Sequence, residues 1–263
     1  MLSGIKSLMQ KGYLNIRELE NLINFGFFTS KGGVSKGNFL SLNCSKKSND
    51  IKNNVKKNIK IASERLNIKN KRLKFINQIH SNKIFLITNK NFSNELYGDG
   101  LITKDKKIAL AILTADCAPV FIFDKQKNII CCLHSGWKGT LLNIVKESIK
   151  ELNLNNVKTN NLIAVVGPCL AFNNFEVDKD FKIKFNNKNK LYLNFFKSKN
   201  KNKDFFDLRG LINFQLKSSG VKTIYNIKKD TYKNKSIFFS HRRATHLKSA
   251  NTGRMINIIS FKD

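Results

Sequence analysis

The chain has 263 residues, 41% of them hydrophobic and 25% charged, enough for a sizeable core, and no segment approaches the ~18 unbroken apolar residues of a membrane span. The opening MLSGIKSLMQKGYLNIRELE lacks the apolar centre and cleavage site of a secretory signal. Five cysteines (Cys44, Cys117, Cys131, Cys132, Cys169) form no disulfide framework, so reduced thiols in the cytoplasm are expected. The formal charge of +30 would by itself point to nucleic acid. It is carried mostly by lysines scattered among Asn, Ile and Phe, which share AT-rich codons, so codon bias accounts for it; no specific nucleic-acid partner is expected, only non-specific attraction of anionic substrates.

In chain order, NDIKNNVKKNIKIASERLNI repeats Ile51, Val55, Ile59, Ala62 and Leu66 at helical spacing. KIFLIT, IALAILT, VFIFD and NIICCLH then read as strands, with Cys131 and Cys132 as ordinary core residues. TLLNIVKESIKEL gives a second helix, with the stripe Leu141, Leu142, Val145, Ile149 and Leu152 and with Thr140 as its N-cap. LIAVVG is a further strand, and the lysine- and asparagine-rich stretch from Lys184 to Asp204 reads as a long mobile insertion. DLRGLINFQLKSSG predicts a third helix, capped by Asp207 and ended by Gly220, followed by the strand runs KTIYNI, SIFFS and MINIISF. There is no 20-to-50-residue repeat and no proline-rich linker, so the expectation is one domain over 1–263, of mixed α/β (α+β) class, with layered mixed sheets and outer helices.

Apolar strands that end in reactive residues hold chemistry on a rigid tip. Here FINQIHSNKI carries Gln78 and His80, which share a side if extended; LAILTADCAPV ends in Thr114, Asp116 and Cys117; and IICCLHSGW ends in His134. A single histidine beside a strand is more often a hydrogen-bonded structural group, and a single cysteine a small buried one. The spacings match no zinc-finger template; only a fold could bring these residues together.

The blocks GFFTSKGGVSKGNFLSLN, NQIHSNKI, GDGLIT, LTADCAPVFIFD, CCLHSGWKG, VGPCL, FDLRGLINFQLKSSGV and TGRMINIISF stand in the order seen in the YfiH/YlmD family of laccase-domain, polyphenol-oxidase-like proteins, which the chain resembles from about Gly26 onward. The resemblance implies a CNF/YfiH-like fold and a metal site of His80, Cys117 and His134. Two imidazoles and a thiolate suit zinc, with copper possible, and three protein ligands leave a fourth position open. It implies purine nucleoside phosphorolysis of adenosine, inosine and 5'-methylthioadenosine, with adenosine deamination, so the partners are purine nucleosides and phosphate.

Asp116 and Gln78 become candidates for proton transfer or base contact alongside Cys117, with orientation of the metal ligands as the plainer role. Lys138, Arg242, Arg243 and Arg254 are the phosphate-side candidates. Ser35 and Asn43 resemble pocket residues, although a turn and a cap explain them equally well. Gly136 and Gly139 allow a tight turn after His134, Trp137 packs beneath it, and the following helix N-terminus with Lys138 would favour an anion. Two departures stand out: Lys138 replaces the family's usual arginine, losing bidentate geometry, and HRRATHLKSANTGRM differs from the common loop. The alternatives are a metal-free cysteine hydrolase using Cys117 and His134, a copper-dependent polyphenol oxidase, and a basic nucleic-acid-associated protein. The oligomeric state is left open.

Overall fold

The computed structural model describes residues 7–10, 12–124, 126, 129–249 and 251–262. Its strands are β1 (Ser7–Gln10), β2 (Tyr13–Ile16), β3 (Asn24–Phe28), β4 (Arg72–Lys74), β5 (Ile84–Ile87), β6 (Gly100–Thr103), β7 (Ile108–Thr114), β8 (Ala118–Asp124), β9 (Ile129–Ser135), β10 (Ile163–Val166), β11 (Glu176–Asp178), β12 (Phe196–Ser198), β13 (Lys203–Phe206), β14 (Thr223–Asn226) and β15 (Met255–Ser260). The helices are α1 (Lys52–Arg65), α2 (Trp137–Leu141), α3 (Ile144–Leu154), α4 (Lys179–Lys188), α5 (Leu208–Ser218) and α6 (His241–His246). No helix among the described residues is long and apolar enough to cross a membrane.

Two six-stranded mixed sheets, ordered β1-β2-β3-β15-β7-β4 and β14-β10-β8-β9-β6-β5, stack face to face. Their central strands are apolar on both faces because both faces are covered. On β7, Ile108, Leu110 and Ile112 enter the core between the sheets, while Ala109 and Ala111 face the cluster that includes Ala62 of α1. On β9, Ile130 and Cys132 point between the sheets, and Ile129, Cys131 and Leu133 point to the layer of α3 and α5. The period of two thus places the adjacent thiols Cys131 and Cys132 in different cores. The order of layers is α1, first sheet, second sheet, then α3 with α5.

Several local expectations change. Ile51 is 66% exposed at the N-cap of α1, and Asn58 joins the expected Val55 and Ala62 on the buried face of that helix. The Asn58 amide accepts from the Val34 N–H and donates to Ser35 Oγ and Asn43 O, tying the 33–43 loop to the helix. Thr140 does not cap the second helix. Asn143, left-handed at φ 57°, splits that stripe into α2 and α3 and caps α3 by accepting from the Lys146 N–H, which leaves Leu142 42% exposed. Asp207 caps α5 by accepting from Gly210, and Gly220 follows it at φ +90°, both as expected.

The 184–204 stretch is not a structureless excursion. It holds the end of α4, a short 3-10 turn over Lys190–Phe195, strand β12 and the start of β13 in the three-stranded sheet β11-β13-β12. Aromatic packing explains this: Phe185 sits 4.9 Å from Phe206 and Phe196 sits 4.8 Å from Phe206, between ring centroids, while the interleaved lysines face solvent. SIFFS, expected as a strand, is turn and irregular chain; its Phe238 and Phe239 still bury in the core between the sheets.

Candidate metal centre and substrate cavity

The pairing of β8, β9 and β6 sets three side chains next to one another. Pro119 of β8 lies opposite His134 of β9, so Cys117, two residues earlier, falls beside that histidine. On the other side Gly100 pairs with Leu133, which puts Asp99 next to His134, and the His134 N–H donates to Asp99 O at 2.8 Å. His80 arrives from the segment preceding β5. That segment is not extended: His80 has φ 58°, so Gln78 and His80 do not alternate along a strand.

Asp99 is what holds His80 there. Its carboxylate, fully buried, accepts from the backbone N–H groups of Ile79 (3.3 Å), His80 (3.1 Å) and Ser81 (2.5 Å) and from Ser81 Oγ (2.8 Å). The same carboxylate meets His134 Nδ1 at 2.7 Å. With Nδ1 so engaged, His134 presents Nε2 toward Cys117 and His80. One nitrogen or sulfur donor from each of His80, Cys117 and His134 lies within 4.8 Å of the others. The space is kept by Gly136, where a Cβ would stand 2.8 Å from Cys117 Sγ and 3.2 Å from the His80 ring.

Burial, the largest influence on Cys117, pushes its thiol up; the nearby His134 and His80 imidazoles outweigh it and bring it down to about 6. Burial pulls His134 down, but the Cys117 thiolate and Asp99 raise it to about 9. The Asp99 carboxyl is desolvated by burial yet ends below the usual carboxylate value because His134 and Ser81 hold its charged form. A thiolate and two oriented imidazoles are the donor set of a zinc or copper site. His80, Cys117 and His134 form the one group of three or more such side chains among the described residues, and the chain has four histidines in all, which falls short of a multicopper cluster.

The centre opens into a cavity of about 760 Å³. Phe75, Ile76, Leu96 and Leu113 give it apolar walls, and Lys46, Lys47, His241 and Arg254 give it basic ones. Of the predicted site residues, His80, Cys117, His134, Gln78 and Arg254 line it. Gln78 pairs its amide with both backbone groups of Leu113, each at 2.8 Å, which makes it a fastening of the His80 segment to β7.

The other candidates stand outside the cavity lining, each with partners of its own. Asp116, at φ 91°, spends its carboxylate on Thr231 Oγ1 (2.6 Å), Ser240 Oγ (3.0 Å) and the Arg242 N–H (2.6 Å), and it does not line the cavity. Arg242 turns its guanidinium to Asn174 O (3.3 Å) and over the Phe175 ring, and Arg243 is pinned to the carbonyls of Thr231, Tyr232 and Phe238. Lys138 is exposed beside Trp137, which itself packs on Phe181. The α2 start is only a five-residue helix, too brief for the expected anion site.

Ser35 and Asn43 are buried and both bond to Asp50 Oδ2, as loop fastenings. Asn43 also accepts from the Arg254 N–H at 3.0 Å, which positions that arginine. Burial lowers the Arg254 pKa from its ordinary value, against the pull of Cys117 and Asp116. Sequence reasoning missed Asp99, Lys46, Lys47 and His241. For Asp99 the signal was the acid between glycines in the GDGLIT block.

Fold and site together define a class: a layered αββα protein with one His, Cys, His centre at the strand ends of its second sheet, under an open cavity. A family model described as multi-copper polyphenol oxidoreductase laccase matches residues 24–262. The chain is 35% identical over 190 residues to a purine nucleoside phosphorylase of Rickettsia conorii, covering 71% of this chain and 77% of that one. It is 30% identical over 250 residues to a purine nucleoside phosphorylase of Staphylococcus epidermidis, covering 91% and 92%. Among solved structures it is similar to the hypothetical protein YfiH of Bacillus licheniformis, with TM-score 0.88, 27% identity, and 97% and 98% of the two chains covered. The chain belongs to this laccase-like YfiH/YlmD family.

Proposed function

We propose that the chain is a zinc-dependent purine nucleoside phosphorylase acting on adenosine, inosine and 5'-methylthioadenosine, with adenosine deamination at the same centre. The observation that carries this reading is the convergence of His80, Cys117 and His134 on one open cavity whose wall also holds Arg254. The cavity is within the usual size range of small-molecule sites, about 300–1,000 Å³. The names of the relatives support the reaction class. His80, Cys117 and His134 would hold the zinc, which supplies Lewis acidity and a means to activate water at neutral pH.

The residues around the centre divide the remaining work. Asp99 fixes the imidazole of His134 and the backbone at His80, so the donor geometry exists before substrate arrives. The apolar walls from Phe75, Ile76, Leu96 and Leu113 take a purine ring and exclude water. Arg254 offers a fixed charge to phosphate, held by Asn43 behind its backbone and by Thr252 O (2.9 Å) at Nη1. Lys46 and Lys47 add exposed positive charge at the wall and raise the local phosphate concentration. A reducing cytoplasm suits a centre that depends on a thiolate.

One observation favours a second reading, a metal-free cysteine hydrolase: Asp99, His134 and Cys117 stand in the order of orienting acid, base and nucleophile. The test is chromatography of products after metal-assayed protein meets adenosine with and without phosphate, beside a Cys117→Ala control. Phosphate-dependent adenine and ribose 1-phosphate support phosphorolysis, and phosphate-independent inosine supports deamination. Neither product from zinc-loaded protein would sink the nucleoside reading for adenosine and bring the hydrolase forward.

A further inference from the structure

We propose that His241 donates the proton to the departing purine base, an assignment that rests on the phosphorylase reading. Cleaving the bond from ribose C1' to purine N9 leaves its electron pair on the base, which departs poorly unless a proton reaches N7; a positioned acid contributes about 10²–10⁴-fold to such a step. The cavity has few groups able to supply that proton. His80, Cys117 and His134 make the metal centre. Glu95 is engaged by Asn77 Nδ2 at 3.1 Å and by Tyr97. Lys46, Lys47 and Arg254 are the cationic groups that the phosphate side of the reaction calls on. His241 is the remaining imidazole of the lining, and its side chain is exposed to the cavity.

Its position is fixed from both sides. Asp116, covalently next to Cys117, accepts from the Ser240 hydroxyl (3.0 Å) and the Arg242 N–H (2.6 Å), the two neighbours of His241 in the chain. Thr231 Oγ1 secures the other carboxylate oxygen at 2.6 Å, and Ser240 Oγ accepts from the Arg243 N–H at 3.1 Å. The backbone of His241 is thereby held at a set distance from the metal ligand Cys117, as a proton donor working beside that centre requires. This gives the buried Asp116 a purpose although it never faces the cavity: it is a positioning residue.

The step balances. Imidazolium at His241 gives its proton to N7 as the C1'–N9 bond breaks, an oxygen of hydrogen phosphate bonds to C1', and the neutral base leaves. The sugar phosphate, formed as its monoanion, returns a proton to the imidazole.

The experiment compares inosine with 7-methylinosine, whose base already carries the positive charge that protonation would create. Phosphate-dependent kcat/KM is measured for wild type, His241→Gln and Asp116→Asn, with metal content assayed in each. His241→Gln should lose about a hundredfold or more on inosine and stay within about threefold on 7-methylinosine, with metal retained. Asp116→Asn should show the same preference, more weakly. Equal losses on both substrates, or no loss on inosine, would overturn the proton-donor role and leave phosphorolysis standing. Phosphate-independent behaviour of the wild type on both nucleosides would remove the phosphorylase reading and the proposal with it.

Discussion

At the floor of the cavity one buried carboxylate, Asp99, gathers the N–H groups of Ile79, His80 and Ser81, the Ser81 hydroxyl and the His134 ring, whereas the wall carries Lys46 and Lys47 as exposed side chains, with Lys46 over the face of Phe75 at 5.7 Å. The first arrangement holds donors in place before any ion or substrate arrives. The second attracts by charge and can rearrange. Substitutions at the floor should therefore be costly and insensitive to salt, and those at the wall mild and salt-dependent.

Thiol chemistry is the largest way to break that contrast. In protein stripped of metal, alkylation of Cys117 should follow a midpoint at about 6 in place of the ordinary 9.0; because the shift is downward, thiolate is present above that pH and disappears as pH falls through it. Cys44 of the same cavity is pushed the other way by burial and should stay unreactive. A midpoint near the ordinary value would mean the imidazoles do not hold the thiolate. Asp99→Asn comes next and should cost about 10–100-fold in metal affinity, read by competition with a chromophoric chelator. Unchanged affinity would reduce Asp99 to a loop fastening.

Gly136→Ala pushes a methyl against Cys117 Sγ and the His80 ring, and should destabilise by about 1–3 kcal/mol while weakening the metal, as thermal melts of loaded and stripped protein would show. Lys46→Ala and Lys47→Ala should have the smallest effect: a rise of about two- to fivefold in KM for phosphate at low salt, fading as ionic strength increases. Salt-independent loss at these lysines would place them among the fixed contacts.

Legibility followed the same division. The core strands were plain because β7, β8 and β9 are apolar on both faces, and α5 announced itself through Asp207 and Gly220. The small sheet stayed hidden because its aromatic residues are diluted by lysine and asparagine, so composition pointed to a mobile stretch where packing of Phe185 on Phe206 gives order. The break at Asn143 was invisible because the apolar stripe runs through it. The donor trio emerged from the family blocks and not from spacing, since only the pairing of β6, β8 and β9 makes Asp99, Cys117 and His134 neighbours. Arg242 and Arg243 look like phosphate ligands in sequence, but a sequence does not reveal which backbone carbonyls need a donor.

The most direct measurement is the metal content of purified wild type and Cys117→Ala by elemental analysis, against protein concentration. One zinc per chain is expected in the wild type, and its loss in the variant. Wild type that carries no stoichiometric metal after purification and refuses added zinc, with Cys117 still freely alkylated, would contradict that expectation.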